Sequence, residues 1–178
     1  DENAPLGEGF SVEVCKLWEA EFFNRQLPET RKVLFRIGFV LEKNGGALES
    51  LQKVTKFYLG GTIGSGKQYI SWLHIKDLNR MFEFAVENET VEGIYNATGV
   101  NPVTNAEFMK TLRDVMGMPW SPPAPAFAVK IGATLFMRAD PSLALTGRNC
   151  IPKKLRDENF QFEYTDLTQT LDQIINSK

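Results

Sequence analysis

The sequence predicts an α/β fold, namely half of a doubly wound domain followed by a small, mainly helical appendage. Three observations carry this. Helix-like and strand-like patterns alternate up to residue 118, the order that builds a parallel sheet. Only two or three candidate parallel strands can be found, too few to bury both faces of a sheet beneath several helices. From Pro119 onward the alternation gives way to proline-rich and helical segments. The missing strands are expected upstream. The opening, Asp1-Glu2-Asn3-Ala4-Pro5, agrees: it has no initiator methionine and no signal-peptide pattern, and it reads as a loop inside a longer protein. The expected division is residues 1–118 as the C-terminal part of the sheet domain and residues 119–178 as the appended domain.

Element by element, Val12, Cys15, Trp18 and Phe22 recur at helical spacing and predict a helix over 11–24 with these residues on one face. Val33-Leu-Phe-Arg-Ile37 is a nearly continuous apolar run, as in a strand covered on both sides. A break at Lys43-Asn44-Gly45-Gly46 precedes a helix over about 47–57, and glycines 60, 61, 64 and 66 then mark a loop. Tyr69 to Ile75 is aromatic and β-branched, hence extended. A helix over 77–87 follows, with Leu78, Phe82, Ala85 and Val86 expected on its inner face. Ile94 and Tyr95 begin another strand, ending at Thr98-Gly99. Thr104-Asn-Ala-Glu107 is a capping box that opens a helix with Phe108, Leu112, Val115 and Met116 as its core stripe, ended by Gly117 and Pro119. Beyond the prolines at 122, 123 and 125, residues 126–137 are expected to be helical and 143–152 loop-like. Lys153-Lys154-Leu155 reads as a short helix, and Phe160, Phe162 and Tyr164 alternate like a strand. Asp166 caps a last helix with Leu167, Leu171, Ile174 and Ile175 inward.

Composition narrows the function classes. The 178 residues carry 20 Lys and Arg against 22 Asp and Glu, a formal net charge of −2. That lacks the basic excess of a nucleic-acid binder, so no nucleic-acid partner is expected. No apolar stretch of about 18 residues is present, so no membrane span is expected either. Two cysteines, Cys15 and Cys150, do not make a disulfide framework, and a cytoplasmic setting is the expectation. A single histidine, His74, excludes a histidine-rich metal site built from this chain.

Several residues could carry chemistry. Gly61-Thr-Ile-Gly-Ser-Gly66-Lys67-Gln68 approaches a phosphate-binding loop, but Gln68 stands where a magnesium-holding Ser or Thr belongs. Its context is also reversed, with a helix before it and an extended segment after it. The loop therefore reads as the wall of a cleft or as a plain turn. Neither the Gly-x-Gly-x-x-Gly dinucleotide fingerprint nor any Tyr-x-x-x-Lys occurs in the chain. His74, at a strand-to-helix junction, either relays a proton or, the simpler reading, ties its loop to neighbouring backbone. Arg36, inside an apolar run, must be ion-paired or reach a ligand. Lys67 and Arg148 could act as charge-assisted phosphate donors, though solvation is the ordinary state of each. Cys150 has no histidine near it in sequence and reads as inert. The Phe160, Phe162 and Tyr164 stripe reads as core rather than as a base-stacking platform.

Four stretches carry a family resemblance: Arg36-Ile-Gly-Phe-Val-Leu41, Asn44-Gly-Gly-Ala-Leu48, Leu59 to Gln68 and Ser71-Trp-Leu-His-Ile-Lys-Asp77. Together with Gly93 to Asn105, Leu145 to Leu155 and Phe160-Gln-Phe162, the chain resembles, in order and over nearly its whole length, epimerase-family proteins of the extended short-chain dehydrogenase/reductase superfamily. The branch it is similar to carries an extra C-terminal domain of unknown function.

The resemblance implies the C-terminal half of a Rossmann-type NAD(P)-binding domain, with the cofactor's glycine loop and the catalytic tyrosine supplied upstream. It implies that Arg36, Ile37 and Gly38 lie at the cofactor's nicotinamide end, and that Lys67, Gln68, Trp72, His74 and Arg148 line the substrate side. No catalytic residue is assigned within the chain. The implied cofactor of the intact protein is NAD(P), with no tight binding by this chain alone, and the implied partner is a small molecule of the nucleotide-sugar class. Self-association through apolar faces left uncovered is a further expectation. Two functions stay open: the substrate-binding part of an NAD(P)-dependent nucleotide-sugar epimerase or reductase, inactive by itself, and a non-catalytic Rossmann-like binding or regulatory protein.

Overall fold

A computed structural model describes residues 1–43, 45–125 and 145–176. In chain order the elements are α1 (Phe10–Asn24), β1 (Val33–Ile37), β2 (Phe39–Leu41), α2 (Gly46–Lys56), β3 (Tyr69–Ile70), β4 (Trp72–His74), α3 (Ile75–Glu87), β5 (Gly93–Ala97), β6 (Val103–Thr104), α4 (Asn105–Val115), α5 (Lys153–Asp157) and α6 (Leu167–Asn176). The helix expected over 126–137, and the first two residues of the loop expected over 143–152, lie outside the described residues.

The two principal strand pairs are parallel, as the alternation demands. β1 runs beside β5 with Val33 opposite Gly93 and Ile37 opposite Ala97, and β2 runs beside β4 with Phe39 opposite Trp72. β3 and β6 form a short antiparallel pair. Successive residues of a strand face opposite sides, and β4 uses this fully. Trp72 enters one core cluster, with Leu41, Leu48, Phe108, Met109 and Leu112. Leu73 enters the other, with Leu78, Met81, Ala85, Val91, Tyr95 and Ala97. The C-terminal segment completes both: Leu167, Leu171 and Ile174 of α6 join the first, and Leu155 of α5 with Phe160 joins the second.

The helix ends follow their sequence signals. The Thr104 hydroxyl accepts from the Glu107 N–H at 3.2 Å, and α4 stops where Gly117 takes φ 63°. The Asp166 carboxylate caps α6 by accepting from the Gln169 N–H at 2.8 Å.

Four expectations are corrected. The α1 stripe of Cys15, Trp18 and Phe22 is exposed, Trp18 at 70%. The helix leans inward instead on the face that carries Glu19, which is drawn to Arg36. In α3 the buried line is Leu78, Met81 and Ala85, whereas Phe82 and Val86 are exposed, because the helix turns its 78–81–85 line onto the second cluster. Phe82 still meets the edge of the Phe35 ring at 5.0 Å. The β1 strand is only half-buried, and Ile37 is exposed. Residues 160–164 form no strand, because the Glu163 and Tyr164 N–H groups bond to the Asp77 carboxylate at 3.2 and 3.0 Å. Phe160 is nevertheless buried, as a core residue should be.

Candidate functional site

The sheet forks at Gly38. Up to Ile37 the strand pairs with β5, and the Gly38 N–H continues this pairing to the Ala97 carbonyl at 3.0 Å. One residue later the Phe39 N–H bonds to the Ser71 carbonyl at 2.8 Å, and across the gap the Gly99 N–H bonds to the Trp72 carbonyl at 2.8 Å. The start of β4 is thus bonded to the extensions of both β1 and β5 where these part. A change of partner at the carboxyl ends of parallel strands is where open α/β sheets bind ligands.

Both glycines at the fork are required by close approach. A Cβ on Gly38 would lie 2.3 Å from the Ser71 carbonyl oxygen, and one on Gly99 would lie 2.5 Å from that of Trp72.

A strap formed by residues 147–151 is laced along this edge. The Arg148 N–H donates to the Tyr69 carbonyl at 3.1 Å. The Ser71 hydroxyl donates to the Arg148 carbonyl at 2.6 Å and accepts from the Cys150 N–H at 2.8 Å. The Asn96 amide donates to the Ile151 carbonyl at 3.1 Å, and the Thr98 hydroxyl donates to that of Cys150 at 3.4 Å. The strap presents the Arg148 side chain to solvent.

The residues singled out by sequence fall into three groups. Arg36, Ile37 and Gly38 lie at the fork. Of the two uses open to Arg36, the ion pair is present: its Nε and Nη2 donate to the two carboxylate oxygens of Glu19, both at 2.7 Å. That bidentate contact holds the guanidinium more firmly protonated still and ties α1 to β1. Ile37, 51% exposed, offers an apolar face.

Lys67, Gln68 and Arg148 gather where the strap meets β3. Lys67 is exposed, and the Gln68 amide donates to the Ile63 carbonyl at 2.9 Å. A Cβ on Gly147 would lie 2.7 Å from the Gln68 carbonyl carbon, so the backbones carrying Gln68 and Arg148 are in contact.

Trp72 and His74 lie behind, in the core. Trp72 is 1% exposed, and its indole N–H donates to the Asn101 carbonyl at 2.8 Å. His74 caps α3: its Nδ1 accepts from the Lys76 N–H at 3.1 Å, which places the ring proton on Nε2. The ring stacks on Tyr164 at 3.7 Å between centroids. Burial, and then the Lys76 charge, hold its pKa below the ordinary imidazole value. The backbone-tying use of His74 is therefore the one present.

The glycine loop does not have the form of a phosphate cradle, which needs free N–H groups. The Ile63 N–H donates to the Asn105 side chain at 2.8 Å and that of Lys67 to the Ser65 hydroxyl at 3.3 Å. The Gly64 N–H donates to the Ala124 carbonyl and the Gly66 N–H to that of Ile63.

Sequence reasoning did not single out Glu19, Ser71, Asn96 or Thr98. Ser71 meets its strap partners across 77 and 79 positions of chain, and a lone serine gives no local signal of that. Among the described residues no cluster could hold a metal ion, and no helix is long and apolar enough to cross a membrane.

A forked parallel sheet with helices on its connections defines an α/β protein of the Rossmann type. The comparisons agree. Residues 124–174 match the family described as domain of unknown function DUF1731. The chain is 37% identical over 171 residues to the epimerase family protein ML0860 of Mycobacterium leprae, covering 96% of this chain and 55% of that protein. It superposes on the human epimerase family protein SDR39U1 (isoform 2), whose crystal structure was solved with NADPH, with a TM-score of 0.88, 31% identity and coverage of 99% of this chain and 59% of that one. It also superposes on the nucleoside-diphosphate sugar epimerase of Corynebacterium glutamicum with a TM-score of 0.73, 27% identity and coverage of 96% and 32%.

The chain is similar over nearly its whole length to epimerase family proteins of the extended short-chain dehydrogenase/reductase type, and it carries a match to the DUF1731 domain. It spans about half the length of the curated relatives that it matches.

Proposed function

We propose that the chain is the substrate-binding part of an NAD(P)-dependent nucleotide-sugar epimerase or reductase. The carrying observation is the fork at Gly38, over whose edge the strap presents Arg148. The NADPH of the human relative and the nucleoside-diphosphate sugar activity in the name of the bacterial one support the two ligand classes.

The residues here fit only one end of such a cofactor. The exposed face of Ile37 at the carboxyl end of β1 suits a nicotinamide ring, whereas the Ile63, Gly64, Gly66 and Lys67 N–H groups of the glycine loop are already bonded within the protein. When bound, a nicotinamide cofactor supplies the hydride. The chain's own residues orient and bind. Gly38 and Gly99 let the backbones close on β4 and hold the fork rigid. Lys67 and Arg148 receive the phosphate charge of the substrate, with Gln68 between them, while Trp72 and His74 fix the β4 segment behind.

A second reading, a binding protein without catalysis, is favoured by two observations. The Arg36 guanidinium is held by Glu19, and the His74 Nδ1 is used as a helix cap.

Calorimetric titration of the chain with UDP and with NADPH tests the proposal. Saturable UDP binding, weakened by Arg148→Ala and Lys67→Ala, is expected, with no tight NADPH binding. UDP binding indifferent to both substitutions would overturn the assignment of the substrate edge. Tight NADPH binding would overturn the view that this chain holds only the nicotinamide end. The two readings part in the full-length protein, where NADPH oxidation with a nucleotide sugar supports the enzyme.

A further inference from the structure

We propose that the Ser71 hydroxyl is a positioning residue, which sets the Arg148 guanidinium to receive a diphosphate group. The proposal rests on the reading of Arg148 as a substrate-side contact.

Ser71 is 7% exposed and stands one residue before β4, where its own carbonyl closes the fork by accepting from Phe39. Its hydroxyl does two things at once, donating to the Arg148 carbonyl and accepting from the Cys150 N–H. A hydroxyl can satisfy both because it carries one donor and two acceptor lone pairs. The strap is therefore gripped on either side of Asn149, and the grip is anchored to the same residue that closes the fork. Tyr69, Asn96 and Thr98 also bond the strap to the sheet, but Ser71 alone bonds it on both sides of Asn149 and so fixes how far Arg148 stands from the fork.

The side chain so placed differs from Arg36 and Arg80, whose guanidinium groups are ion-paired. Arg36 is bound to Glu19, and Arg80 to Asp77 and Glu163. Arg148 has no carboxylate partner among the described residues, and its Nη1 donates only to its neighbour, the Gly147 carbonyl, at 3.0 Å. Gly147 has no room for a side chain, since a Cβ would lie 2.3 Å from the Tyr69 nitrogen and 2.4 Å from the Tyr69 oxygen. The strap thus presses flat against the strand that follows Lys67 and Gln68. Two cations on adjoining backbones, one of them with planar paired donors, suit the two linked phosphates of a nucleoside diphosphate better than a single carboxylate.

Inorganic pyrophosphate, titrated calorimetrically, is the probe. Arg148→Ala is expected to weaken its binding about tenfold, as loss of a charge-assisted contact does. Ser71→Ala is expected to weaken it about fivefold, and Ser71→Thr, which keeps the hydroxyl, to restore it to within about twofold. In an Arg148→Ala background Ser71→Ala is expected to change the affinity no further, because it acts through that side chain.

Unchanged affinity in Ser71→Ala beside a weakened Arg148→Ala would overturn the positioning role and leave the Arg148 reading standing. An undiminished effect of Ser71→Ala in the Arg148→Ala background would also overturn it, since a general loss of structure does that. No effect of Arg148→Ala would overturn both. Should Ser71→Ala fail to fold, Gly147→Ala displaces the strap while leaving the hydroxyl intact, and full affinity in that variant would overturn the proposal.

Discussion

The Gly38 α-carbon and the Ser71 carbonyl oxygen are so close that a β-carbon would lie 2.3 Å from that oxygen and 2.9 Å from Thr98 Cγ2. The Ser71 carbonyl cannot move without breaking its bond to the Phe39 N–H, and turning the Thr98 side chain would break its hydroxyl's bond to the Cys150 carbonyl. Gly38→Ala is expected to destabilise the chain by about 2–4 kcal/mol through overpacking. A urea midpoint lowered at unchanged slope is the measurement that checks it. An unchanged midpoint would show that the fork has slack.

How much of this was legible depended on how local the cause was. Caps and stops were readable because their partners lie within a turn: Thr104 with Glu107, Asp166 with Gln169, and Gly117 at the end of α4. That the principal strands run parallel followed from apolar runs alternating with helices, whereas the pairing of β1 with β5 is seen only in the fold. Faces were less legible. Phe82 and Met81 are equally good helix-stripe residues, and only the position of the second cluster decides that Met81 is buried and Phe82 half-exposed. The 160–164 stripe has the period of a strand, but a carboxylate, not a strand, takes its N–H groups. Around the fork, the sequence names residues but not the division of labour among them. Trp72 and His74 adjoin Ser71 in sequence, yet they face the core while the Ser71 hydroxyl faces the strap. That distinction needs contacts across 77 or more positions of chain.

Asp77 holds the C-terminal segment to α3. Its carboxylate is 2% exposed and accepts from the Glu163 and Tyr164 N–H groups and from Arg80 Nη1, the last at 3.0 Å. Asp77→Ala would leave two backbone donors without partners, each costing about 1–3 kcal/mol. The expected loss is about 3 kcal/mol, with faster amide hydrogen exchange at Glu163 and Tyr164 than in α3. Unaltered exchange at those two amides would mean that something else holds the segment.

His74 should make the chain acid-sensitive. Its pKa in the fold lies below the ordinary 6.5 because of burial and Lys76, although Asp77 and Glu163 pull the other way. Between that depressed value and 6.5 the unfolded chain binds a proton that the folded chain refuses. Stability is therefore full above 6.5 and falls as pH drops through the folded value. Protonation at Nδ1 also removes the acceptor that caps α3. His74→Asn keeps a capping oxygen but loses the stack on Tyr164, which is worth about 1 kcal/mol. The variant should be less stable at pH 8, and the gap should narrow on acidification. Melting curves of both proteins from pH 8 to pH 5 with a constant gap would assign the acid sensitivity elsewhere.

Tyr95 should act in the opposite pH range. Its hydroxyl donates to Glu158 Oε1 at 2.6 Å, and burial together with that hydrogen bond pushes its pKa up to about 12 from an ordinary 10. The neutral phenol is thus the form that the fold favours. Its contribution is complete below pH 10 and is lost as pH rises toward 12, where the unfolded chain has already released the proton that the folded chain retains. Tyr95→Phe removes the donor and leaves Glu158 Oε1 without it. The other oxygen of that carboxylate, Oε2, is already buried without a partner among the described residues. At neutral pH the variant is expected to be about 2 kcal/mol less stable, the worth of a hydrogen bond to a charged group. Between pH 10 and 12 the wild type should lose this advantage while the variant lacks that component of the decline, so the two unfolding midpoints converge. Parallel curves across that range would show that the Tyr95 hydroxyl, despite its short bond to Glu158, does not titrate with folding.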